Sequence, residues 1–108
     1  MILITDNFIP EEVLESKASI ILFGNQHCSV CSALKLKLQT VMIEILPELT
    51  FAYVDTNLNP ILAASHSVFT VPVAVFRSEN KEYNRWVRSF SIQEIIAYCQ
   101  RMLMIQNS

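Results

Sequence analysis

The chain carries three cysteines, two in the run Cys28-Ser29-Val30-Cys31 and the third, Cys99, far downstream. A Cys-X-X-Cys pair can exchange with disulfides: one accessible thiolate attacks, and a second thiol nearby resolves the mixed disulfide. Joined by further donors it can hold zinc, and His27 adjoins the pair. Structural zinc normally takes four ligands from two such pairs, and this sequence has no second pair. Two cysteines three apart can also serve as small core hydrophobes. Spacing alone leaves all three readings open.

The flanking segments narrow them. Ser19-Ile20-Ile21-Leu22-Phe23 is a continuous apolar run ending at Gly24, and it reads as a buried strand of a parallel sheet. Beyond the pair, Leu34, Leu38, Val41, Met42 and Ile45 recur at i, i+4, i+7, i+8 and i+11. That is one face of a helix, with Lys35, Lys37 and Gln39 on the others and Pro47 closing it. Cys28 and Cys31 therefore open a helix. The first amides of a helix have no internal partner and its dipole favours negative charge, so Cys28 is expected to ionise below the free value of about 8.5. Cys31, one turn later, is placed to resolve. His27 either lowers the Cys28 pKa further as an imidazolium, giving pH sensitivity near neutrality, or is an exposed loop residue.

The remaining chain supplies a frame. Residues 1–4 read as a short strand, Asp6 and Asn7 as a turn or cap, and Pro10-Glu11-Glu12 as a helix start with Val13 and Leu14 inward. Residues 50–54 are a third strand and 55–60 a loop into a short helix around 61–66. Residues 71–76 are a fourth strand entered through Pro72. Ser78-Glu79-Asn80 makes a hairpin turn, with Asn80 best able to take a left-handed conformation. Residues 82–88 suit an edge strand. Ser91-Ile92-Gln93-Glu94 is a capping box for a last helix to about Met104. The order is β-α-β-α-β-α-β-β-α, an α/β arrangement with one mixed sheet covered by helices on both faces. On the last helix Cys99 shares a face with Ile92, Ile95, Ile96, Met102 and Leu103, as an inert packing residue. His66 is read as a surface or packing side chain, and Trp86, between Arg85 and Arg88, as packing against a helix.

With these points in register the sequence resembles the thioredoxin family over nearly its whole length. The resemblance rests on Cys28-Ser29-Val30-Cys31 after the buried strand, on Leu49 to Asp55 leading to Asn59-Pro60, and on Val71-Pro72 preceded by Ser67-Val68-Phe69-Thr70. Thr70-Val71-Pro72 is also similar to glutaredoxins, but those lack the first strand–helix unit and carry a glycine pair after the fourth strand. The resemblance implies a thioredoxin fold and a cis Pro72 facing the cysteines, with Val71 pairing by backbone with a substrate chain. It implies a thiol–disulfide oxidoreductase acting on protein disulfides, with Cys28 attacking, Cys31 resolving, and His27, Val71 and Pro72 lining the substrate groove. An upstream electron donor of the thioredoxin-reductase type is implied, and no cofactor beyond the dithiol. The departures are equally informative. The family's buried aspartate falls on Leu22, its partner lysine on Tyr53, and a usual tryptophan on Gly24. The aspartate–lysine pair helps to move the proton of the resolving thiol, and neither Leu22 nor Tyr53 can carry it at neutral pH.

Composition sets the outer limits. At 108 residues and 52% hydrophobic, the chain is one domain, residues 1–108, with enough apolar residues for a core. Net charge is −2 and no basic stripe interleaved with aromatics is present, so nucleic acid is not an expected partner. The apolar stretches are too short to span a bilayer, and residues 1–6 lack the basic flank of a signal peptide. A cytoplasmic location is expected, where thiols are kept reduced. The rival reading is a non-catalytic binding or adaptor domain that retains the fold with a vestigial or metal-binding cysteine pair; Leu22 and Tyr53 are the features that favour it.

Overall fold

A computed structural model describes residues 1–107. The elements are β1 (Ile2–Leu3), α1 (Glu11–Leu14), β2 (Ser19–Gly24), α2 (Ser29–Glu44), β3 (Thr50–Asp55), α3 (Pro60–Ser65), β4 (Val73–Ser78), β5 (Lys81–Val87) and α4 (Ile92–Gln106). They form a five-stranded sheet in the order β1-β3-β2-β4-β5. β1, β3 and β2 run parallel, while β4 is antiparallel to β2 and to β5. This is the mixed α/β arrangement expected from the sequence.

Two cores lie on opposite faces of the sheet. Ile20, Leu22, Tyr53, Ala74 and Phe76 pack on one face against Leu34, Leu38 and Met42 of α2 and Ile95, Cys99 and Leu103 of α4. Ile21, Phe23, Val54, Val73 and Val75 pack on the other against Val13 of α1 and Leu62 and Ala63 of α3. Because strand side chains alternate, β2 feeds both cores and has no exposed residue at all. The uninterrupted apolar run 19–23 reflects that central position.

Several boundaries differ from the sequence expectations, most by one or two residues. α2 ends at Glu44, not at Pro47: its final turn closes through the Ile45 N–H on the Val41 and Met42 carbonyls. Leu34, Leu38 and Met42 follow the buried line, while Val41 is half-buried and Ile45 is 49% exposed. A narrow stripe of i, i+4, i+8 suffices where the helix lies on a sheet, and Val41 turns instead toward α4. β4 begins at Val73, because a proline at 72 has no N–H for the ladder. β1 has only two residues, paired with Ala52 and Tyr53.

The turns use side chains where glycine is scarce. Asp6, Asn7, Glu79 and Asn80 all have positive φ, the hairpin pair matching the turn that the twist of β4 and β5 requires. Asn59, fully buried, donates from Nδ2 to the carbonyls of Ile4 (3.2 Å) and Asp55 (3.0 Å) and accepts the Asn7 N–H at 2.9 Å. Asn7 Oδ1 in turn accepts from Ile61 and Leu62, capping α3 from a distant part of the chain. The Ser91–Glu94 capping box opens α4 as anticipated.

Candidate active site

The register of β2 and β4 builds the site. Phe23 pairs with Val73, so the residues that leave β2 and those that lead into β4 emerge at the same sheet edge. The first group carries the cysteines and the second carries Pro72.

Asn25 shapes the cysteine loop. Its Oδ1 accepts the His27 N–H at 2.9 Å, and its carbonyl accepts the Cys28 N–H at 3.3 Å. Cys28 is the N-cap of α2, in an extended conformation, and its Sγ accepts the Cys31 N–H at 3.1 Å. That amide is one of the donors a helix leaves unpaired. The Cys28 sulfur thus occupies the place where a side-chain oxygen normally caps a helix, and charge on it is favoured there. Cys28 and Cys31 are joined by a disulfide, with their Cα atoms 5.2 Å apart. Cys28 is half-buried and Cys31 fully buried, so one sulfur faces solvent and the other faces the core.

The Val71–Pro72 peptide is cis. Pro72 is buried and its carbonyl accepts the Arg88 N–H at 2.8 Å, while Val71 makes no backbone hydrogen bond to any other described residue. Val71 and Asn25 line one hollow with Phe69, Thr70 and Val68, which brings the proline loop against the cysteine loop. Val30 lies at the end of an apolar groove of about 790 Å3 between α2 and α4, bordered by Leu34, Val41, Phe90, Ile92 and Ile96. His27 is exposed. His66 packs its ring 5.9 Å from that of Phe23, with Nδ1 3.1 Å from the Leu62 carbonyl, as a packing residue. Trp86 stacks edge-on with Tyr98 of α4 at 5.3 Å.

Two residues at the site carry roles that the sequence reading passed over. Arg85 donates from Nη2 to the His66 carbonyl at 2.8 Å and pairs through Nε with Glu82 at 2.8 Å, tying β5 to the segment that leads into Val71-Pro72. Residues i and i+3 of a regular strand face opposite sides; a β-bulge opposite Phe76 and Arg77 inserts one residue and turns Glu82 and Arg85 to the same side. A bulge has no sequence signal of its own here. Gly24 is the second. A Cβ on it would stand 2.7 Å from the Tyr53 hydroxyl, 2.8 Å from Cys31 Cβ and 3.1 Å from Cys31 Sγ. Only glycine lets the phenol and the buried cysteine close on the strand together. Leu22 and Tyr53, side by side in the β2–β3 register, are both core residues, so no carboxylate–lysine pair lies there.

The thioredoxin family model matches residues 1–101. The chain belongs to the thioredoxin family. Among solved structures, thioredoxin 1 from Thermosipho africanus is 36% identical, aligning over 83% of this chain and 99% of its own with a TM-score of 0.77. A Fasciola hepatica thioredoxin is 28% identical over 82% of this chain and 83% of its own, with a TM-score of 0.73. A thioredoxin variant from Halobacterium salinarum, 15% identical, shares the fold over 94% of this chain and 88% of its own, with a TM-score of 0.83. No curated protein matches the sequence. Within this thioredoxin frame Cys28 and Cys31 form a Cys-X-X-Cys disulfide at the start of α2. Among the described residues no group of three His, Cys, Asp or Glu side chains could hold a metal ion, and no helix is long and apolar enough to cross a membrane.

Proposed function

We propose that the protein is a thiol–disulfide oxidoreductase that acts on protein disulfides. The observation that carries this reading is the asymmetry of the pair: Cys28 caps α2 and reaches solvent, while Cys31 lies behind it in the core. In the reduced protein the Cys28 thiolate, held by the amide at the start of α2, attacks one sulfur of a substrate disulfide. The substrate S–S bond breaks, the departing thiolate takes a proton from water, and a mixed disulfide with Cys28 remains. Cys31 gives its proton to water and attacks Cys28 Sγ. The second substrate thiolate leaves, and the Cys28–Cys31 disulfide is restored. Each turnover oxidises the dithiol by two electrons and reduces one substrate disulfide.

Val71 and Pro72 shape the groove beside Cys28. The unpaired Val71 backbone supports a role in aligning an extended substrate segment by strand-like pairing. His27 sits at the rim. Electrons return through a thioredoxin-reductase-type donor, and the cytoplasm is the compartment that keeps such a dithiol reduced. The rival binding-domain reading draws support from Leu22 and Tyr53, which provide no carboxylate–lysine pair for the resolving proton.

Insulin reduction by dithiothreitol tests the proposal. The protein should accelerate precipitation of the insulin B chain, and Cys28→Ser should abolish the acceleration. Identical behaviour of the two proteins would remove the enzyme and leave the binding domain.

A further inference from the structure

The start of α2 serves only one of the two sulfurs. Cys28 accepts an amide hydrogen bond, whereas Cys31 turns inward from the first turn of the helix. What faces Cys31 is the point above Gly24 where a side chain is missing, and the Tyr53 hydroxyl faces that same point. Tyr53 is held there from several directions. Its backbone is paired with Leu22 and Leu3 in the sheet, its ring is buried in the core, and Lys35 Nζ lies 4.4 Å from the ring centroid. Its hydroxyl makes no hydrogen bond to another described residue and keeps a small contact with solvent, although the residue as a whole is only 7% exposed. Lys35 on α2 and Asp55 on β3 are the charged groups set against it, while its strand neighbours Leu22 and Leu3 carry none.

We propose that Tyr53 is the hydrogen-bond donor to Cys31: once the disulfide opens, its phenol O–H bonds the Cys31 sulfur and favours the thiolate that resolves the mixed disulfide. The inference rests on the exchange reading above and adds the residue that supports its second step. Burial, reinforced by the Asp55 charge, holds the phenol above its ordinary pKa of 10. It therefore keeps its own proton through the cycle and acts as donor, never as base. The proton of Cys31 leaves to water, the Cys31 electron pair forms the new bond to Cys28, and the substrate thiolate departs with the pair of the broken bond. The device needs both residues in this chain: Gly24 to leave the gap and Tyr53 to reach across it.

A hydrogen bond to a charged sulfur is expected to shift ionisation about tenfold. Stopped-flow reduction of dithionitrobenzoate separates the steps, one chromophore leaving on Cys28 attack and a second on resolution by Cys31. Tyr53→Phe keeps the ring in the core and removes only the donor. It should leave the first phase within about twofold, slow the second about tenfold at pH 7, and raise the pH midpoint of the second phase by about one unit. In a Cys28→Ser background, the alkylation rate of Cys31 against pH, read by mass spectrometry, should show the same displacement on adding Tyr53→Phe. Unchanged second phases and unchanged Cys31 alkylation midpoints would make Tyr53 core filler and overturn the proposal. Failure of the parent protein to release any chromophore would count against the exchange reading instead, and the alkylation midpoint would still decide the role of Tyr53.

Discussion

Cys31 and Cys99 have equal burial, lie on helices packed against the same face of the sheet, and belong to opposite chemistry. Both are completely removed from solvent. Cys31 is in the first turn of α2, bonded to a sulfur that reaches the surface and facing a gap over Gly24. Cys99 sits mid-helix in α4 between Ile95 and Leu103, unpaired, and desolvation pushes its thiol up to about 12. Burial alone therefore does not decide whether a cysteine is paired. What separates the two is position along the helix: the first turn offers unpaired amides and a partner outside the core, and the middle offers only apolar contacts.

The sharpest way to break this comparison is differential alkylation of the reduced protein at pH 7. Cys28 should react with iodoacetamide at least about a hundredfold faster than Cys99, since a thiol near 12 has almost no thiolate at that pH. After diamide, mass spectrometry should find the 28–31 disulfide with Cys99 unmodified. A disulfide involving Cys99 in the native monomer would contradict its burial and the equivalence of the two packing sites.

A smaller effect tests whether the proton on Cys31 limits its chemistry. Leu22 is buried beside Tyr53, and Leu22→Asp would restore a carboxyl to that position. Resolution of the mixed disulfide should speed up roughly tenfold in single-turnover kinetics, at a stability cost of about 3 kcal/mol for lost packing and a buried polar group. A domain of this size retains its fold through such a loss when its stability is about 5–15 kcal/mol, and circular dichroism would verify that. Equal rates for folded variant and parent at every pH from 6 to 9 would show that proton transfer does not limit the step.

The smallest effect concerns Cys99 alone. A thiol raised in the folded state stabilises fully below its unfolded pKa, near 8.5, and loses that contribution as pH rises toward the folded value of about 12. Stability should therefore fall between pH 7 and pH 9, and about 1 kcal/mol of the fall should disappear in Cys99→Ala. Tyr53 and Tyr98, both raised by burial, add falls of the same sign, so the measurement is the difference between the two urea-unfolding series. Parallel pH profiles would mean that Cys99 reaches water in the native state.

Local signals in the sequence were enough for the elements and for half of the site. The run 19–23, the turn residues at 79 and 80 and the capping box at 91–94 are short-range patterns that appear where they were expected, and of the α2 face 34, 38, 41, 42 and 45 the residues Leu34, Leu38 and Met42 are buried. The cysteine pair was legible for the same reason, since a helix N-terminus is made by neighbours in sequence. The close of α2 was not, because packing on the sheet rather than periodicity decided which apolar residues were needed. Nor was the Arg85 tie to the proline loop, which depends on a bulge opposite residues 76 and 77. The meeting of Gly24, Tyr53 and Cys31 required β2, β3 and α2 to come together at residues 29 positions apart in the chain, and no local pattern encodes such a contact. The sequence by itself determined which side chains could do chemistry. Tertiary structure alone decided what stands against each of them, because contact between distant segments is set by strand register and the shape of the core.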